Sequence, residues 1–255
     1  MSAPVAVVTG ASRGIGKRLC VALAEQGYDV VCTARSSDAS RGRLPGTIDE
    51  TAQEVEAAGR RAMPVALDVR DEEGVAKLVD RVFDEWDRCD LVVNNAALAP
   101  PRPALEDSTK RWRLGIDVNV NGPFYMIYYF APRMSEAGQG RVVNISSGAS
   151  QAPAFGRAGY TTTKAALEAL SGALAHDLRG RVAVNCIRLE VPVWTEGFAE
   201  TLPPDVDLPF EDAVIMCDAV LWFARQPLDV TGEVLTIAEL RERGAVRAFT
   251  PAERD

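Results

Sequence analysis

Tyr160 and Lys164 stand four residues apart in GYTTTK, and a pair of serines, Ser146 and Ser147, precedes them. In a helix, positions i and i+4 share a face. A helix beginning near Gly159 therefore points the phenol and the ammonium the same way. A free tyrosine titrates near pH ~10, too high for acid-base work at neutrality. A cation held beside it favours the phenolate. Bringing the phenol to neutrality takes roughly 4 kcal/mol of differential stabilisation, at ~1.36 kcal/mol per unit. Ser147, carried close by a returning loop, offers a hydroxyl to the same substrate oxygen. The spacing alone also describes an ordinary surface pair on a helix. The chain has only four lysines, Lys17, Lys77, Lys110 and Lys164, so the pairing is not a by-product of lysine abundance.

The elements that must position these groups follow from periodicity. The short apolar run Val5–Val8 reads as a strand, and Thr9-Gly10-Ala11-Ser12-Arg13-Gly14-Ile15-Gly16 follows it. Leu19, Leu23 and Ala24 then recur at helical spacing, and Gly27 ends the helix. Strand, glycine turn and helix together cradle a pyrophosphate: the glycines permit tight turning and close approach, and the helix N-terminus presents free N–H groups. Further strands are expected at 29–33, 62–67, 91–93, 142–145, 182–187 and 234–237. Helices are expected from Thr47 to about Ala58, opened by a Thr47/Glu50 capping box, across 75–86, over Ser108 to Met134, from Gly159 to Leu178, and from about Glu211 to Ala224. Alternating strands and helices, with several continuous apolar strands, imply one parallel sheet covered on both faces. Ligands of such sheets bind at the carboxyl ends of the strands. Gly10, Arg35, Asp68, Asn95, Ser147 and Leu189 all follow strand ends and should line one crevice. The Pro-rich stretch Val191–Pro209, with Trp194, Phe198 and Phe210 in or beside it, is expected to shape a substrate pocket with an apolar component.

Composition narrows the class. A chain of 255 residues with 47% hydrophobic content suits one large α/β domain. A net charge of -8 argues against a nucleic-acid surface. No apolar run approaches membrane-spanning length, and residues 2–9 do not have the make-up of a secretory signal. Cys20, Cys32, Cys89, Cys186 and Cys217 are scattered with no C-x-x-C, the pattern of reduced core thiols in a cytoplasmic protein without a structural metal. His176, the sole histidine, falls late in a helix, where it reads as a surface residue rather than part of a hydrolase triad.

With these residues in place, the chain resembles the short-chain dehydrogenase/reductase family from Val5 to about Ile237. TGASRGIG looks like the family's cofactor loop, Asp68-Val69 like its adenine-contacting pair, and Asn94-Asn95-Ala96-Ala97 like its N-N-A-G. Asn119 in DVNVNG, Ser147, Tyr160 and Lys164 match its catalytic tetrad, and the family's thirteen-residue step selects Ser147 over Ser146. The LPGTIDET segment at Leu44 further resembles a subgroup that includes hydroxysteroid-dehydrogenase-like proteins. The resemblance implies a single Rossmann domain of about seven strands and hydride transfer between a nicotinamide cofactor and an alcohol/carbonyl pair. Tyr160 would be the general acid-base, Lys164 would hold the nicotinamide ribose, Ser147 would orient the substrate oxygen, and Asn119 would hold a water. It also implies a homotetramer or dimer built on the helix after Tyr160 and the helix containing Asn119. The first of these is rich in small residues, among them Ala165, Ala169 and Gly172.

Two positions depart from the family. Ala97 stands where it has glycine, and Leu189-Glu190 replaces its Pro-Gly after the sixth strand. Glu190 either faces the substrate, points to solvent or caps a neighbouring backbone N–H. The cofactor is expected to be NADP, with NAD possible. Strand two ends in Thr33-Ala34-Arg35-Ser36, with no carboxylate before Asp38, whereas a carboxylate there would bond the ribose hydroxyls of NAD. Arg35 offers a charged planar fork to a 2′-phosphate, and Arg13 approaches from the glycine loop. The alternative from another class is a dinucleotide-binding redox sensor without turnover, for which an intact tetrad serves no purpose.

Overall fold

The computed structural model describes residues 2–99, 101–199 and 208–252. A seven-stranded parallel sheet forms the centre, in the order β3-β2-β1-β4-β5-β6-β7. The strands are β1 (Val5–Thr9), β2 (Asp29–Ala34), β3 (Ala62–Ala66), β4 (Leu91–Asn94), β5 (Arg141–Ser147), β6 (Ala183–Leu189) and β7 (Val234–Thr236). The helices are α1 (Gly14–Glu25), α2 (Ile48–Ala57), α3 (Glu72–Trp86), α4 (Thr109–Ile116), α5 (Gly122–Glu136), α6 (Ala158–Asp177), α7 (Glu196–Ala199), α8 (Val214–Arg225) and α9 (Ile237–Glu242).

Alternation along the strands divides the core in two. Ala6 and Val8 of β1 face α1, α2 and α8, where Leu19, Leu23, Val55, Val220 and Phe223 are buried. Val5 and Val7 face α3 and α5, where Leu78, Val82, Ile127, Phe130 and Met134 are buried. Strand order reverses between β1 and β4, and there the carboxyl ends leave a crevice for a ligand. Of the six positions expected beside one crevice, Gly10, Arg35 and Asn95 directly follow β1, β2 and β4, Asp68 comes two residues after β3, and Ser147 and Leu189 are themselves the last residues of β5 and β6.

Several boundaries differ from the expectation. The helical region 108–134 is interrupted by a π turn over Asp117–Asn121, closed by the Gly122 N–H on the Asp117 carbonyl. The wider turn carries Asn119 into the interior, where it is buried. Gly122 is needed there because a Cβ would lie 2.8 Å from Val69 Cγ2. The eighth helix starts at Val214 because Val193 and Glu211 pair as a parallel bridge, which keeps Glu211 extended. Buried Glu211 also forms an ion pair with Arg241. Helix α9 was not foreseen. Thr236 caps it, accepting from Glu239 N while the Glu239 carboxylate accepts from Thr236 N. The Thr47/Glu50 box opens α2 as expected, and Gly27 leaves α1 with φ +90°. Residues 200–207 of the expected substrate region lie outside the described residues.

Candidate active site

The glycine loop is built on close approach. Gly10 and Gly14 have φ +69° and +53°, and a Cβ on Gly16 would run into the Gly10 carbonyl. Ile15 packs against the core and Ser12 is buried. Helix α1 opens with no acidic residue in its first turn and no side-chain cap. Its N–H groups are left for an anion, as a pyrophosphate cradle requires. Thr9 fixes the facing strand end: its hydroxyl accepts from the N–H groups of Asn95 and Ala96, at 3.0 Å each. The Asn95 side chain donates to Thr9 O at 2.9 Å, tying β4 to the loop. Ala97 is exposed at the rim.

At the end of β2, Arg13 Nη2 donates to Ser36 Oγ at 3.1 Å and to Gly46 O at 3.3 Å. Arg13 Nε is buried with no partner among the described residues, an orphaned donor of the kind a bound group would satisfy. Arg35 is exposed and makes no hydrogen bond or ion pair among the described residues. Asp38 accepts from Thr47 Oγ1 and Arg41 Nη2, at 3.0 Å each, so its carboxylate is already engaged at the start of α2. Asp68 is gripped by Arg70 through Nε at 2.9 Å and Nη2 at 2.6 Å. That pairing holds its carboxyl below the usual carboxylate range, with burial working the other way. The Val69 side chain is buried against Gly122. Glycine cradle, uncapped helix end and the orphaned Arg13 donor fit a phosphorylated dinucleotide.

Helix α6 carries Tyr160 and Lys164. The Lys164 ammonium lies 5.6 Å from the Tyr160 ring centroid and donates to Ile145 O at 2.7 Å. Lys164 is 3% exposed and has no carboxylate partner among the described residues. Its charge is thus directed at Tyr160 and at the end of β5 rather than neutralised. Ser147 closes β5, and its Oγ accepts from Ala149 N at 3.3 Å, leaving its own hydrogen free to donate. The Asn119 side chain accepts from Leu98 N at 2.8 Å and donates to Leu98 O and Thr163 Oγ1, both at 2.9 Å. Both its N–H donors are therefore engaged with protein, and only acceptor capacity remains for the expected water. A cavity of about 190 Å³ opens beside Tyr160 and Asn119.

Glu168 was missed, although it continues the series Tyr160, Lys164, Glu168 at intervals of four. Its buried carboxylate accepts from Ser146 Oγ and Ser150 Oγ at 2.7 Å each, one on either side of Ser147, and pairs with Arg188 Nη2 at 2.8 Å. Burial pushes its pKa up, but Arg188 and the two serines outweigh it and hold the carboxyl low. Thr195 was also missed: it sits against the glycine loop, with its Cγ2 3.1 Å from the position of a Cβ on Gly14. Nothing in its local sequence marks that contact, which joins residues far apart in the chain. Glu190 resolves in favour of the capping role. Its carboxylate accepts from Ile237 N at 2.9 Å and Ala238 N at 2.8 Å, at the start of α9.

Known proteins agree with this geometry. The short chain dehydrogenase family profile matches residues 4–200. A curated relative, hydroxysteroid dehydrogenase-like protein 2 of Danio rerio, is 28% identical over 95% of this chain. The match spans 59% of that relative's own length, somewhat less than two thirds. A metagenomic short-chain oxidoreductase solved with NADP is 31% identical, covers 92% of this chain and 97% of its own, and superposes with a TM-score of 0.77. Carveol dehydrogenase from Mycobacterium avium, solved with NAD, is 25% identical over 92% of this chain and 96% of its own, with a TM-score of 0.81. The chain thus belongs to the short-chain dehydrogenase/reductase family of NAD(P)-dependent oxidoreductases.

Proposed function

We propose that the chain transfers hydride between NADP(H) and an alcohol/carbonyl pair, with Tyr160 as general acid-base. The observation that carries this reading is the buried Lys164 ammonium, held by Ile145 O beside the Tyr160 ring with no carboxylate within ion-pairing distance among the described residues. In the reductive direction the balance is R₂C=O + NADPH + H⁺ → R₂CHOH + NADP⁺. The bound cofactor supplies the hydride and its two electrons. Tyr160 gives its proton to the oxygen as the alkoxide forms, and Lys164 stabilises the phenolate left behind. Ser147, oriented by the Ala149 N–H, donates to the same oxygen. Asn119 holds the β4 end and α6 in register through Leu98 and Thr163.

The preference for NADP rests on Arg13 and Arg35 at the end of β2, and on Asp38 being bonded to Thr47 and Arg41. Trp194, Phe198 and Phe210 pack edge to face, at 5.2 and 5.8 Å between ring centroids, and favour a substrate with an apolar body. The unpaired buried thiols suit the cytoplasm, and no helix among the described residues is long and apolar enough to cross a membrane. Exposed aromatic residues on α5 favour a homo-oligomer: Phe124 and Tyr128 are 37% and 58% exposed. The direct test is NADPH oxidation by the purified chain over a panel of ketones and aldehydes. Turnover of at least one carbonyl is expected. Tight NADPH binding without turnover of any would instead establish the redox-sensor reading.

A further inference from the structure

The cavity beside Tyr160 has a sign. Its apolar wall is Leu98, Ala104 and Trp112, and its charged wall holds Arg102, Arg111 and Asp107. The Arg102 backbone N–H is fastened to Gly156 O at 2.8 Å, which fixes this loop against the one leading into α6. The Arg102 guanidinium itself has no hydrogen-bond or ion-pair partner among the described residues. Arg111 Nε stands 3.9 Å from the Asp107 carboxylate, beyond hydrogen-bonding distance. Asp107 in turn accepts from Ser108 N at 2.9 Å. Two guanidinium groups with donors to spare therefore face a single carboxylate, in a protein whose net charge is -8. The first turn of α4 adds Lys110 beside Arg111 and no acidic residue, while Glu106 and Asp107 stand just before its Ser108 cap.

We propose that this site takes carbonyl substrates bearing an anionic group, a carboxylate or a phosphoryl, held by Arg102 and Arg111 while the carbonyl meets Tyr160. The inference rests on the oxidoreductase reading of the same site. A guanidinium recognises either oxyanion through paired N–H donors. At about 190 Å³ the cavity is smaller than most ligand pockets, which start near ~300 Å³, so it suits a short charged head rather than a whole large substrate.

The test pairs each acid with its uncharged counterpart. NADPH oxidation is measured with acetoacetate, levulinate and benzoylformate against their methyl esters, and with dihydroxyacetone phosphate against dihydroxyacetone. The charged member of at least one pair is expected to have a kcat/KM about tenfold or more higher, the span of one charged hydrogen bond. The acid pairs and the phosphate pair separate the two oxyanions. Arg102→Gln is expected to remove most of that preference through KM while leaving the ester unchanged, and Arg102→Lys to restore part of it. Raising salt should raise the wild-type KM for the acid and not for its ester, a reading that needs no variant. Equal or better turnover of the uncharged member in every pair overturns this inference and leaves the oxidoreductase standing, as does an Arg102→Gln that slows acid and ester alike. Failure of every carbonyl, charged or neutral, overturns both.

Discussion

At the scale of single residues, the proposed preference for NADP rests on Arg13 and Arg35. Both were legible by type and place, one inside the glycine loop and one just after β2. The bonds from Arg13 to Ser36 and Gly46 were not, because they join positions 23 and 33 residues apart. A charged hydrogen bond contributes about 1.5 to 3 kcal/mol, so one good contact to a 2′-phosphate implies roughly 10- to 150-fold preference. The dissociation constant of NADPH should be lower than that of NADH by that factor, and Arg35→Ala should weaken NADPH selectively. Equal constants in the wild type, or a mutant that weakens both alike, would show that Arg35 does not select the cofactor. Glu190 shows where sequence stops. Its departure from the family turn was visible, but its fate, toward substrate, solvent or a backbone cap, was open until α9 appeared beyond β7. With its carboxylate bonded to Ile237 N and Ala238 N, Glu190→Ala should lower stability by about 1 kcal/mol, the usual effect of a lost cap. The ranking of carbonyl substrates should not change. A reordered ranking at unchanged stability would place Glu190 in the pocket.

At the scale of elements, α6 does more than hold Tyr160 and Lys164. One turn after the lysine, Glu168 bonds serines on both sides of Ser147 and pairs with Arg188 of β6, coupling the helix to two strand ends. The i+4 interval was available in the sequence, whereas the partners on β5 and β6 needed the sheet order. Glu168→Gln should lower urea stability at neutral pH by about 1 to 3 kcal/mol, since it strands a charge-bonded arginine. It should also reduce kcat more than it weakens NADPH binding. The folded state holds the Glu168 carboxyl below its unfolded value. Its contribution is therefore complete above the ordinary carboxylate pKa of ~4.3 and is lost as pH falls through the lower folded value. The stability gap between wild type and Glu168→Gln should accordingly be full at pH ~7 and shrink well below pH ~4. A gap that widens on acidification would mean the carboxylate is not ion-paired.

At the scale of the whole molecule, the parallel sheet and the crevice at its carboxyl ends were readable, because alternating apolar runs and helical stripes survive in the sequence. The π turn was not, since the close approach of Val69 to Gly122 at its end joins residues far apart in the chain. Assembly belongs to this scale. On the outer face of α5 the Phe124 ring lies tilted against Tyr128 and Tyr128 meets Tyr129 edge to face, at 5.7 and 5.0 Å, while Tyr128 stays 58% exposed. Exposed clustered aromatics of this kind are expected to be covered by a second copy. Light scattering at micromolar concentration should give a dimer or tetramer, and Tyr128→Glu should shift it toward the monomer. A wild type that is already monomeric contradicts that arrangement.

The central claim is that Tyr160 moves the proton that accompanies the hydride, and one substitution tests it most directly. Tyr160→Phe removes the hydroxyl and keeps the ring beside Lys164. On a carbonyl that the wild type reduces, kcat should fall by about 10²- to 10⁴-fold, the usual contribution of a positioned acid-base group, while the NADPH dissociation constant stays within a few-fold of the parent. A Tyr160→Phe enzyme that turns over at the parental rate would contradict the account.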